Sequence, residues 1–390
     1  VPPAWPLHLG AAVGSLALLA ASHALAQEAP IAWAAWSASP VAIDRRTFSP
    51  LEEQAVARCG RAEGGLHDTA RAILARRLRG ASMPELDGIA FMQRAAGEPH
   101  PWARAWVASG QVSGVLAQLD SWVGPTPAGA LRRCGAASGE MADGVQALAV
   151  VSVDVLADLA PLPTRARPGE WLTVEAHLRV PATGGQIIVL GSTGAPRPLP
   201  TSFDGSVLRA RFAPERRGEF AVQVMADVAG GPRPVIEAIV FAGIDPPQRE
   251  DDRAAPGEDA AAGALEDDDR LAHMIGAARA AARLSPLARD LRLDAVARDH
   301  AARMALTHQL AHDAGDGDPF DRLHIAGVDS PYAGENVAHA STVPLAHRML
   351  WNSPSHRANL LRREFDRVGV GVVRDNHGDA WAVETFAGGS

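Results

Sequence analysis

Gly334-Glu335-Asn336-Val337-Ala338, Trp351-Asn352-Ser353-Pro354-Ser355-His356-Arg357-Ala358-Asn359-Leu360, Val368-Gly369-Val370-Gly371-Val372 and Trp381-Ala382-Val383-Glu384-Thr385-Phe386 follow one another toward the C-terminus. A carboxylate flanked by small residues comes first, then a histidine just after a Ser-Pro turn that breaks a helix. Two segments alternating apolar residues with Gly or polar ones close the stretch, as strands with one buried face do. The pattern predicts a site laid over a compact sheet.

Upstream of this stretch, helices are predicted over Leu271–Leu284 and from Leu293 to about Leu310, where Leu293, Val296, Ala297, His300, Ala301 and Met304 share one face. Asp318-Pro319 opens a short helix, Val343–Trp351 another, and strands are read over Arg367–Val373 and Ala380–Phe386. Helices stacked on an antiparallel sheet make an α+β sandwich over residues 271–390. His312, Glu335 and His356 are the candidate site residues, each read next to a break in regular structure. Two imidazoles and a carboxylate can share a divalent cation such as zinc, with an open position, or can donate and accept protons around a ligand.

Ala311-His312-Asp313, the Gly-Glu-Asn motif, the Trp351–Leu360 segment and Val368-Gly369-Val370-Gly371, in this order, resemble the bacterial branch of the CAP superfamily (SCP-like domains). That superfamily joins the cysteine-rich secretory proteins, antigen 5 and the pathogenesis-related proteins. The resemblance covers about Ala264–Ala387 and implies an α-β-α sandwich with a shallow cavity lined by two histidines and two acids. It matches the first histidine to His312, the acid to Glu335 and the second histidine to His356. No Glu or Asp stands in the place of the second acid, and His347 is the nearest substitute. His308 rivals His312, but its place inside a helix favours a surface or core role. Glu384 is open to either solvent or the cavity.

Residues 245–270, with Glu266-Asp267-Asp268-Asp269, turn to Glu, Asp, Ala, Pro and Gly and read as a solvated acidic linker. Over 148–244 the period is two, with strand candidates at Ala149–Val155, Leu172–Val180, Gln186–Leu190, Val207–Phe212, Phe220–Val228 and Val235–Phe241. An immunoglobulin-like β-sandwich is expected there, and a small barrel would leave the same pattern. Residues 27–147 read as a mostly helical α+β domain, with a capping box at Ser49-Pro50-Leu51-Glu52 and a helix over Leu66–Leu78.

That domain also reads as a degenerate copy of the C-terminal one, the alternative being chance similarity of Ala/Arg-rich helices. Leu51–Arg58 pairs with Leu291–Arg298, Arg94–Gly97 with Arg322–Gly327, Trp122 with Trp351, and Arg133-Cys134-Gly135 with Arg367-Val368-Gly369. Glu335 then falls near Ala105 and His356 near Thr126, so the copy lacks the site.

Residues 1–26 read as a secretory signal: Leu9–Ala21 is an apolar run, and Ala24-Leu25-Ala26 is a small-residue cleavage site. An exported protein, extracellular or periplasmic, is expected, with no membrane span once the signal is cleaved. Cys59 and Cys134, the only two cysteines, favour one disulfide in such a compartment, two buried thiols being the alternative. At 390 residues the chain exceeds one core, and a net charge of -8 with no basic stripe argues against nucleic-acid binding. The leading functional reading is extracellular binding of a small lipid or peptide through the His/Glu cavity. A metal-dependent, peptidase-like hydrolase using the same residues is the alternative, and an adhesive rod a third.

Overall fold

The computed structural model describes residues 33–34, 36, 48–124, 131–229, 231–249, 253–259 and 266–389. The signal expected over 1–26 lies outside these residues, as does Thr126. Among the described residues no helix is long and apolar enough to cross a membrane.

The N-terminal unit runs α1 (Pro50–Cys59), β1 (Arg61–Ala62), α2 (Gly64–Leu78), α3 (Leu86–Ala95), β2 (Arg104–Gly110), α4 (Val112–Val123), β3 (Leu131–Glu140) and β4 (Gln146–Val155). Ser49 and Glu52 close the capping box, with Glu52 Oε2 accepting the Ser49 N–H at 2.9 Å. The sheet order is β1-β3-β4-β2. β1 lies parallel to β3, and the other pairs are antiparallel. Helices α1 and α4 pack on one face and α2 and α3 on the other. A disulfide joins Cys59 on α1 to Cys134 on β3. Ala149–Val155, expected to open the middle domain, belongs instead to β4. It is covered on both faces, which removes the alternation that would have assigned it.

The middle unit comprises β5 (Ala157–Leu159), β6 (Arg165–Ala166), β7 (Leu172–Leu178), β8 (Gly185–Gly191), β9 (Arg197–Pro198), β10 (Ser202–Phe203), β11 (Val207–Phe212), β12 (Gly218–Val228) and β13 (Gly231–Ala242). These form two sheets, β10-β11-β7-β5 and β6-β13-β12-β8-β9. Leu172, Val174 and Ala176 from one sheet and Phe220, Val222 and Val224 from the other share a single core with the fully buried Trp36.

The C-terminal unit runs α5 (Asp267–Ala281), β14 (Ala288–Arg289), α6 (Leu291–Thr307), α7 (Pro319–Ile325), β15 (Tyr332–Ala340), α8 (Val343–Asn352), α9 (Pro354–Leu360), β16 (Arg367–Arg374) and β17 (Ala380–Gly388). Its sheet order, β14-β16-β17-β15, repeats the order and pairing senses of the first unit. Val368, Val370 and Val372 face α5 and α8. Gly369 and Gly371 face α6 so closely that a Cβ on either would overlap the α6 backbone. Gly135 meets the backbone of Leu66 and His67 on α2 in the same way.

This contact fixes the correspondence between the units: α2, not α1, occupies the place of α6, so the sequence pairing of Leu51–Arg58 with Leu291–Arg298 is off by one helix. Matching bonds follow. Glu63 N–H donates to Cys134 O and Asp290 N–H to Val368 O, each at 3.0 Å. Arg133 faces Glu63 at 3.4 Å, as Arg367 faces Asp290 at 3.3 Å.

Two further expectations change. Glu266 is the N-cap of α5 and Asp267–Asp269 its first turn, where carboxylates meet the positive end of the helix dipole. Asp268 also accepts the Val372 N–H at 2.8 Å. Within residues 253–259, Ala255 and Glu258 are buried, and Glu258 receives both Arg348 Nε, at 3.0 Å, and Nη2, at 2.5 Å.

Candidate functional site

Glu335 lies inside β15, not at a loop edge, opposite Thr385 of β17. Only 1% of its side chain is exposed, and both oxygens are engaged. His312 Nδ1 bonds Oε1 at 2.9 Å, and Arg322 Nη2 donates to Oε2 at 2.6 Å. A buried carboxylate needs such partners, because an unpaired charge in the interior costs several kcal/mol. His312 thus meets Glu335 through Nδ1, with Nε2 not engaged in that bond.

Beneath this pair, His300 on α6 is fully buried. It bonds Asp316 Oδ2 through Nδ1 at 2.7 Å and the Ala311 carbonyl through Nε2 at 2.9 Å, so it holds the segment that carries His312. Burial raises the Asp316 pKa, but the hydrogen bond and charge of His300 together with Arg322 hold it below the ordinary carboxylate range. His300, Asp316 and Arg322 were not read as site residues. The available signal was one histidine on an otherwise apolar helix face; Asp316 and Arg322 had none.

His356 sits in the first turns of α9, next to the Ser353-Pro354 break that ends α8. Burial, with the charge of His312 second, pushes its pKa down to about 3, so it is a neutral imidazole at physiological pH. His356 therefore offers an uncharged imidazole, the form that coordinates a metal or accepts a hydrogen bond. The ligand atoms of His312, Glu335 and His356 do not gather within 4.8 Å of one another, so as placed the three do not form a donor set for a cation such as zinc. Asn336 links the site to a second buried acid: its Nδ2 donates to the His356 carbonyl at 3.1 Å and to Glu384 Oε2 at 2.7 Å. Glu384 and His347 are both fully buried, 3.9 Å apart. Arg357 lies over the Trp351 ring at 4.0 Å, and burial lowers its pKa to about 10.

His356 opens on a cavity of about 700 Å³ that all three units line. His339 and Trp381 contribute from the C-terminal unit, Gln93 and His100 from the N-terminal one, and Val222 and Ile239 from the middle one. His308, which takes a left-handed conformation (φ 51°) at the C-cap of α6, stands on its wall. Gln223 of β12 fastens the wall: its Oε1 accepts the Ser355 N–H at 2.9 Å and its Nε2 donates to Ser353 Oγ at 3.3 Å.

Residues 273–386 match the family model described as the cysteine-rich secretory protein family, CAP. A curated relative, "Uncharacterized protein YkwD" of Bacillus subtilis (strain 168), is 32% identical over 114 residues, 29% of this chain and 44% of that protein. The chain thus spans less than half the length of this relative. Among solved structures, an outer surface protein from Borrelia burgdorferi is similar at 22% identity and a TM-score of 0.31, over 33% of this chain and 96% of that one. An "extracellular protein containing a SCP domain from Bacillus anthracis str. Ames" aligns at 21% identity and a TM-score of 0.30, over 56% of this chain and 64% of that one.

Proposed function

On the premise that residues 273–386 form a CAP domain, we propose that the protein is an exported binding protein that holds a small lipid or peptide in the cavity beside His356. The observation that carries this reading is the enclosure of the His356 face by two other units, which turns a shallow surface into a cavity of about 700 Å³. Pockets of this size suit small ligands oriented by a few polar groups. The middle unit, read as immunoglobulin-like, and the N-terminal unit, read as a second CAP-type copy without the site, then serve as walls. The residue in register with Glu335 supports the second of these: through the paired strands it is Ala105. Export rests on the signal-like sequence of residues 1–26.

The hydrolase reading is weaker on geometry. Glu335 is committed to Arg322 and His312, so it is poorly placed to take a proton from water. The test is organic extraction of the purified full chain followed by mass spectrometry, with a peptide library assayed for binding and cleavage in parallel. The binding reading expects a retained lipid or peptide that His356→Ala loses. Peptide cleavage abolished by His356→Ala would replace it with the hydrolase.

A further inference from the structure

We infer that His339, Asp375 and Asp379 form a binding site for one divalent cation, distinct from the His312/Glu335/His356 group. His339 lies near the end of β15, and Asp375 and Asp379 bracket the turn between β16 and β17. Among the described residues this is the group of three His, Cys, Asp or Glu side chains whose ligand atoms all lie within 4.8 Å of one another.

His339 and Asp375 are held in place by contacts that leave a ligand atom able to share a cation. The His339 ring stacks on Trp381, centroids 4.2 Å apart, which fixes the imidazole plane. Asp375 Oδ1 accepts the N–H groups of His377, at 2.8 Å, and Asp379, at 3.1 Å, so the turn is built around this carboxylate. The Trp381 indole N–H donates to Asp375 Oδ2 at 3.1 Å and turns that oxygen toward the imidazole. Hydrogen bonds of this kind, made to a ligand by the residues behind it, are what orient metal ligands.

His339 Nε2 is buried and has no hydrogen-bond partner. It lies 3.7 Å from Asp375 Oδ2 and 3.7 Å from Asp379 Oδ2. That is too far for a hydrogen bond to either. It is close to the ~3.4 Å edge of a tetrahedron built on metal–ligand bonds of about 2.1 Å. A buried donor atom midway between two carboxylate oxygens, bonded to neither, is thus explained by a cation among the three. One imidazole with two carboxylates suits zinc or manganese better than magnesium or calcium, which favour oxygen alone. All three residues line the cavity on which His356 opens, so the cation faces the ligand space.

The test is calorimetric titration of zinc chloride and manganese chloride into the full chain near pH 7.5. One equivalent is expected to bind wild type, at least about tenfold more weakly in His339→Ala and Asp379→Asn, and unchanged in His356→Ala. Asp379→Asn keeps the side-chain shape, so it decides the matter if His339→Ala unfolds the strand end. No equivalent with either metal in folded wild type overturns the site. So does affinity unchanged in Asp379→Asn, which leaves His339 as a charge partner of the two acids. Binding lost in His356→Ala but kept in Asp379→Asn moves the metal to the other histidines and also overturns it. None of these results bears on lipid or peptide retention.

Discussion

The two α/β units share strand order, pairing senses and the glycine that lets a helix backbone rest on the sheet, yet they differ in chemistry at the positions of the site. Where the C-terminal unit has Glu335, Asn336 and Glu384, the register of the N-terminal sheet places Ala105, Trp106 and Val150. His300 corresponds to Ile73 by the same helix contact that matches Leu293 to Leu66. The build therefore does not need the polar cluster. Buried polar groups cost stability unless fully paired, and His347 and Glu384 retain nitrogens and an oxygen without partners. The cluster reaches the cavity through His356, whose carbonyl Asn336 holds, while Glu335, Asn336 and Glu384 lie behind the cavity wall. The N-terminal unit is instead stapled by Cys59–Cys134, with Cys134 at the position of Val368.

The largest effect expected on this contrast comes from importing one N-terminal residue alone. The bonds Glu98 N–H to Gln93 O and Val328 N–H to Leu323 O match, which sets Met92 against Arg322. Arg322→Met should cost about 3–5 kcal/mol in urea unfolding, because Glu335 stays buried with half its partners. Adding Glu335→Ala, the residue of the first unit, should recover much of that loss; a double variant as unstable as the single one would break the comparison. Next, Cys59→Ser should lower N-terminal stability by about 3–4 kcal/mol in oxidising buffer and leave the C-terminal unit unchanged, read by hydrogen exchange of each sheet.

Gly135→Ala and Gly369→Ala should each cost about 1–3 kcal/mol by forcing a helix off its sheet. Similar losses in the two would sharpen the correspondence, and a loss in one alone would weaken it. The smallest effect is a slope with pH. The His356 pKa is lowered from 6.5 to about 3 in the folded chain, so the unfolded chain binds the extra proton between those values. Stability should fall as pH drops through that window and stay flat above it. His356→Phe should flatten this part of the pH profile; an unchanged profile would show that the imidazole is not desolvated.

Much of the C-terminal unit was legible because its constraints are local. Val368-Gly369-Val370-Gly371 alternates a buried side chain with a position that tolerates none, and Asp318-Pro319 is a helix start by residue chemistry. The match of Arg133-Cys134-Gly135 to Arg367-Val368-Gly369 was legible for the same reason. The helix register was not, since α1 and α6 are both Ala/Arg-rich and only the contact of Gly135 with α2 tells them apart. Acidity misled at Asp267–Asp269, where composition reads as linker but a helix N-terminus stabilises the charges. In the site, the motif residues His312 and Glu335 stood out, and the structure sets them against each other. Arg322, Asp316 and His300 act through partners 10 to 16 residues away and across loops, a separation that no helix or strand period marks. His339, Asp375 and Asp379 escaped notice because two of them are turn residues with an ordinary structural role.

The most direct measurement of the binding account is the equilibrium titration of the full chain with a fluorescent long-chain lipid and a labelled peptide pool, comparing wild type with His356→Trp. The indole would fill cavity space at α9, and neither Arg322 nor Glu335 lines that cavity. The account predicts saturable one-to-one binding by wild type of one of the two probes, lost in a His356→Trp variant that melts as wild type does. Binding of equal strength in both proteins, or saturable binding of neither probe by wild type, would contradict it.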